Sequence, residues 1–158
     1  MAAWPEPGPD NDYLASHIHR LRQSFRTLLG EDLIDPTLDP VAAARTIYQA
    51  PYVVVSHGPE ADPLFNYGNR VAQALFEMPW SELTVLPSRL SAEPPNQAER
   101  ARLLAAVANR GFMRHYSGIR IAKSGRRFRI NDVTVWNLVD EQGVYGGQAA
   151  VYSQWEYL

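Results

Sequence analysis

Apolar and polar positions divide this chain into strand-like and helix-like stretches, and the clearest of them runs from Pro51 to Glu77. Val53, Val54 and Val55 form an unbroken β-branched run, the pattern of a strand covered on both faces. His57-Gly58-Pro59 is turn chemistry, and Phe65 and Tyr67 then alternate with Leu64 and Asn66 up to Gly68. Asn69 can accept from the free N–H groups of a following helix. Val71, Ala72, Leu75 and Phe76 supply that helix's apolar stripe, and Pro79 stops it.

The last third of the chain predicts three meandering strands, Tyr116 to Lys123, Arg126 to Val139 and Val144 to Trp155. Ile119 and Ile121 alternate with Arg120 and Ala122, and Phe128 and Ile130 with Arg127 and Arg129. Val133, Val135 and Val139 fall on the opposite phase, which a bulge near Asn131-Asp132 reconciles. Turns are expected at Ser124-Gly125 and over Asp140 to Gly143. Two strands, helices and then three strands make an α+β fold, a five-stranded antiparallel sheet with helices on one face.

Before this core, residues 1–9 hold three Pro and one Gly and predict a flexible arm. Asp10 to Asp12 open an amphipathic helix that ends at Gly30. Its apolar positions Leu14, Ile18, Leu21, Phe25 and Leu28 repeat at steps of 4, 3, 4 and 3, a two-heptad seam. Such a seam serves docking on the chain's own sheet or pairing with a second copy, and a homodimer through these five residues is expected. Asp39-Pro40 starts a second short helix that ends before Pro51. The organisation expected is an arm over 1–9, a helical extension over 10–50 and the main domain over 51–158. Within that domain Trp80 to Leu86 reads as a short helix, and LPSRLSAEPPN as a loop. Asn96 with Glu99 forms a capping box for a helix that buries Leu103, Leu104 and Val107 and closes at Gly111.

Composition narrows the class. At 158 residues the chain has room for one real core, and no apolar run is long enough to span a bilayer. Residues 1–12 lack a basic segment followed by an apolar one, so a cytoplasmic protein is expected. The absence of Cys excludes disulfides, thiolate metal sites and cysteine nucleophiles. Nine Lys/Arg and no acid lie between Arg100 and Asn131, whereas the rest of the chain sets six basic residues against 17 acids. This block is a solvated sheet face or an anion-binding surface. Aromatics are not interleaved with it, so nucleic acid is not an expected partner.

Candidate chemistry is sparse. His57, Glu60 and Asp62 share one loop, enough for a proton-transfer pair or half a metal site, but no third ligand is placed and turn chemistry explains the same residues. Arg89, the lone basic residue from Val71 to Glu99, suits a fork to Asp62 or Glu93, or a clamp on a ligand carboxylate. No catalytic residue and no metal site is assigned. A small enzyme using His57 with Asp62, and Arg89 as an anion clamp, is the alternative.

Two pieces of sequence, FNYGNRVAQALFE (Phe65–Glu77) and KSGRRFRINDVTVWNLVDEQGVYGGQAAVY (Lys123–Tyr152), resemble the PAS pattern of a strand ending at a helix-capping Asn and a later hairpin. More closely, VVSHGPEADPLFNYGN, LPSRLSAEP and SGIRIAKSGRRFRI resemble the MEKHLA family over roughly residues 40–155. The hexapeptide that gave that family its name is absent, as are a homeodomain and a basic zipper. The resemblance implies a PAS-like sensory or protein-interaction module with no established enzyme activity, a small-molecule ligand and a separate signalling partner. PAS-type modules bind ligands between the sheet's inner face and the helices. Phase and position then nominate Val55, Phe65, Tyr67, Leu75, Phe76, Leu86, Ile119, Ile121 and Trp136 as lining residues, with His57 and Arg89 as polar contacts. No cofactor is identified. A cysteinyl–flavin adduct of the LOV type is excluded by the missing thiol. Haem is disfavoured because the helix Gln97–Arg110 has no His. FMN or FAD held without Cys stays open.

Overall fold

The computed structural model describes residues 4–158. Eleven elements follow in order: α1 (Ala15–Leu29), α2 (Pro40–Tyr48), β1 (Val53–His57), β2 (Phe65–Gly68), α3 (Arg70–Phe76), α4 (Trp80–Leu83), α5 (Pro94–Arg110), β3 (Phe112–Ile121), β4 (Arg127–Val139), β5 (Tyr145–Tyr152) and β6 (Gln154–Tyr157). The antiparallel sheet has the order β2-β1-β5-β4-β3, and β6 pairs with the first part of β4. The single C-terminal strand expected over Val144–Trp155 is thus two. β4 takes β6 as its neighbour over Phe128–Asn131 and β5 over Thr134–Val139. Asp132, at φ 53°, marks the expected bulge between the two halves.

Local signals hold at several ends. Asp39 Oδ1 accepts from Ala42 N at 2.8 Å, with Pro40 at the first position of α2. Gly30 closes α1 in the left-handed region. Two starts differ from expectation. α5 opens at Pro94 with Glu93 as its cap residue, because consecutive prolines at 94 and 95 suit positions where an N–H has no partner. Asn96 lies inside that helix. Before α1 the chain forms a 3-10 turn over Pro9–Leu14, and Asp12, Tyr13 and Leu14 all have φ between 54° and 58°. The α-helix therefore begins five residues later than Asp10.

The arm expected to be flexible falls partly on residues 1–3, outside the described residues. From Trp4 to Pro9 it is held. Trp80 Nε1 donates to Trp4 O at 2.7 Å, the Tyr48 hydroxyl to Glu6 at 2.7 Å, and Asn11 Nδ2 to Glu6 O at 2.9 Å.

Two apolar cores lie on opposite faces of the sheet. The inner one joins Val53, Val55, Phe65, Phe128, Ile130, Val133 and Val135 to α3 and α5. The outer one joins Val54, Tyr67, Trp136 and Leu138 to α1 and α2. Ile18 and Leu21 are fully buried there, and Phe25 meets Trp136 edge-on at 4.9 Å. Trp136 Nε1 donates to Leu21 O, while the Ser24 hydroxyl accepts from Val139 N at 2.9 Å and donates to Val139 O at 3.1 Å. The seam of α1 thus docks on the chain's own sheet, one of the two roles expected of it. Leu14 and Leu28 pack at its margin. The helices of the main domain, α3 and α5, cover the inner face, and the N-terminal helices α1 and α2 cover the outer one.

Candidate functional site

Strand register decides which side chains reach the inner face. Residues paired directly across an antiparallel sheet share a face. His57 pairs with Gln148 on β5, and Gln148 with Asn137 on β4, so three polar side chains form one row across three strands. Gln148 Nε2 donates to Leu104 O of α5 at 3.0 Å and to Asn137 Oδ1 at 3.2 Å, and Asn137 Nδ2 donates to Ala108 O at 3.3 Å. The amide oxygen of Gln148 therefore faces His57 at 3.1 Å, which makes His57 Nε2 the donor. Among the described residues His57 Nδ1 has no partner although it is buried. Burial, with the Arg100 cation nearby, lowers the His57 pKa to about 4, so its ring is neutral at pH 7.

Beside this row lies a cavity of about 60 Å³. Its floor is the inner face of β1, β4 and β5, with Val55, Val133, Val135, Ala150 and Tyr152. Phe65 and Phe76 close one side, Arg100, Leu103 and Leu104 of α5 form the roof, and Tyr116 and Arg120 of β3 stand at the far edge. Two arginines therefore line an otherwise largely apolar space. Arg120 is 6% exposed. One of its amino groups donates to Ile119 O at 2.9 Å, and the other to the Tyr116 hydroxyl at 3.1 Å. That hydroxyl in turn donates to Glu99 Oε1 at 2.6 Å. Gly118 makes this possible, since a Cβ there would collide with the Tyr116 hydroxyl. Burial, and then the like charge of Arg120, lowers the Arg100 pKa to about 10, which leaves it a cation at neutral pH.

Of the residues nominated from sequence, Val55, His57, Phe65 and Phe76 line this cavity. The other seven do not. Ile119 pairs with Arg129 and Ile121 with Arg127, whereas Arg120 pairs with the inward-facing Phe128, so both isoleucines point away. Tyr67 and Trp136 belong to the outer core. Tyr67 gets there because a register shift at Asn66 places it opposite Ser56, while Phe65 lies opposite His57. Two-residue spacing therefore fails to keep Phe65 and Tyr67 on one face. Leu75 is buried in the inner core away from the cavity, and Leu86 packs on that core's edge.

Arg89 is a surface residue in a fork with Asp62 at 3.1 and 3.4 Å. His57 is not paired with Asp62, and Glu60 caps the loop by accepting from Leu64 N. The constellation of His57, Asp62 and Arg89 is therefore not assembled. Sequence reasoning missed Arg100, Tyr116, Arg120, Gln148 and Tyr152. A signal existed for Arg100, which lies three, four and seven residues before Leu103, Leu104 and Val107, on the helix's apolar stripe.

The basic block is dispersed by the fold. Arg114 pairs with Glu31, Lys123 with Glu82, Arg127 with Glu93 and Arg129 with Glu156, and Arg126 stacks over the Tyr157 ring. A second, larger hollow of about 460 Å³ lies by Trp4, His17 and Arg20. Among the described residues no group of three or more His, Asp or Glu could hold a metal ion, and no helix is long and apolar enough to cross a membrane.

Comparison with known proteins follows the same outline. The model of the MEKHLA domain matches residues 15–157, a span that includes α1. No curated protein matches the chain. Among solved structures, a PAS domain from Colwellia psychrerythraea is similar at a TM-score of 0.61 and 13% identity, over 73% of this chain and 92% of that one. A light-oxygen-voltage domain studied with a flavin analogue is similar at 0.59 and 16%, over 73% and 83%. An RNA-binding light-oxygen-voltage receptor is similar at 0.61 and 17%, over 76% of this chain and 33% of that one. At these identities the likeness is one of fold, and the fold is PAS-like.

Proposed function

The chain belongs to the MEKHLA domain family, and from that premise we propose that it is a PAS-like sensory or interaction module. In this proposal a small molecule occupies the cavity between the inner sheet face and α5, and a separate protein reads the response. The observation that carries it is the row His57–Gln148–Asn137, which fastens the sheet to two carbonyls of α5 directly beside the cavity. A ligand pressing on that roof changes the setting of α5 against three strands at once, a differential contact that can shift a population. The volume favours a small ligand, since drug-sized pockets run to about 300–1,000 Å³. We take residues 15–157 as the functional unit because α1 shares a core with the sheet.

Native mass spectrometry of the purified chain, followed by hydrogen exchange with and without the bound species, tests the proposal. The expected result is an added mass lost on denaturation, with exchange across α5 slowed when it is present. A bare-chain mass, together with α5 exchange that a library of small metabolites leaves unaltered, would overturn it.

A further inference from the structure

Two positive charges border the cavity, Arg120 buried and Arg100 half-buried, and neither has a counter-ion among the described residues. Arg120 uses two amino groups on a carbonyl and a hydroxyl, and among the described residues its only route to an acid runs through the Tyr116 hydroxyl to Glu99. Arg100 makes no hydrogen bond or ion pair at all among the described residues, although it stands on the apolar stripe of α5 and roofs the cavity. Among the described residues no Asp or Glu lines the space between them. Uncompensated buried charge is strongly unfavourable, and paired guanidinium forks match the oxygens of a planar anion. The rest of the wall is mainly apolar, from Phe65, Leu103 and Val135, so it suits a hydrocarbon body better than a compact inorganic ion. At roughly 10–15 Å³ per enclosed water, about 60 Å³ holds only a few heavy atoms.

We propose that the cavity takes a small organic carboxylate, its anionic end held by Arg100 and Arg120 and its short body resting on Phe65, Leu103 and Val135. This rests on the ligand-binding function proposed above and names the chemical class of the ligand. The anion supplies the charge that the two guanidiniums lack, and it draws β3 and α5 together across the cavity. An uncharged molecule of the same size gains only the apolar contact.

The test is calorimetric titration and thermal melting of the full chain with the sodium salts of straight-chain acids from acetate to hexanoate. The matching primary amides and sodium phosphate serve as probes at equal ionic strength. At least one acid is expected to bind saturably and raise Tm, with its amide at least tenfold weaker. Arg100→Met is expected to weaken that acid tenfold or more while leaving the unliganded Tm equal to or above that of the parent. This variant is the informative one because Arg120→Met can disturb the Tyr116 contact. Equal binding of acid and amide, binding of phosphate alone, full acid affinity in Arg100→Met, or no binding of any probe would each overturn the carboxylate assignment. A neutral species found by native mass spectrometry would overturn it too, yet leave the ligand-binding proposal standing.

Discussion

Asn69 and Val54 exchange two hydrogen bonds: Asn69 N donates to Val54 O at 3.1 Å, and Val54 N donates to Asn69 Oδ1 at 3.1 Å. The side chain thereby carries the β1–β2 ladder one step past the end of β2. The same oxygen accepts from Ala72 N at 3.2 Å and caps α3, while Nδ2 donates to Ile47 O at 3.0 Å and Tyr52 O at 2.8 Å. One fully buried amide joins strand, helix and the end of α2. Asn69→Ala should cost about 2–4 kcal/mol in chemical denaturation, more than loss of a cap alone. Asn69→Asp should also destabilise, because it keeps the acceptor and loses both donors. Parent-like stability in Asn69→Asp would reduce the residue to a simple cap.

Stability should fall as the solution is acidified from about pH 6.5 to pH 4. His57 is held neutral by burial and by Arg100, with a folded pKa of about 4, and His17 by burial and Arg20, at about 3. Both values lie below the ordinary 6.5, so above pH 6.5 neither state binds the proton and nothing is lost. Between the two values the unfolded chain takes up a proton that the folded chain refuses, and stability drops. The full effect at His57 is on the order of 3 kcal/mol below pH 4. His57→Gln should flatten part of that slope in denaturation curves recorded from pH 7.5 to 4.5. An unchanged slope would mean that position 57 does not carry it.

Gly147→Ala should lower stability by about 2 kcal/mol or more. Gly147 has φ 121°, and a Cβ there would strike the His57 carbonyl and lie 3.2 Å from the Gly58 carbonyl carbon. Displacing β5 would also pull Gln148 from the row beside the cavity. A melting temperature within a degree of the parent would show that the strands separate at little cost.

Leu21→Ala should destabilise the chain by about 2–5 kcal/mol, since Leu21 is fully buried on the sheet-facing side of α1, and leave its elution volume unchanged. A shift to a smaller folded species would instead mean that the seam holds copies together.

Arg89→Ala should change stability by no more than about 0.5 kcal/mol. Its fork with Asp62 is open to solvent on both sides, and neither residue touches the cavity. A larger loss in thermal melting would show that the Asp62 loop is held by this pair.

Sequence alone determined what depends on near neighbours along the chain. Asp39, Asn69 and Gly30 mark helix ends because each acts on backbone groups within four positions of itself. The slip between Ile130 and Val133 announced the bulge at Asp132, since both runs had to face one core. Face assignment needed the tertiary structure, because it depends on a partner strand distant in sequence. Arg120 points inward because β3 and β4 pair it with Phe128, although alternation with Ile119 and Ile121 put it toward solvent. A one-residue bulge at Asn66 sends Tyr67 to the outer core. The heptad seam of α1 reads the same on a sheet as against another helix, and only long-range packing chose Trp136 as its partner. The cavity's charges were hidden for the same reason. Hydropathy assigns arginine to water, and only the assembled fold could bury Arg120 and half-bury Arg100 beside one space.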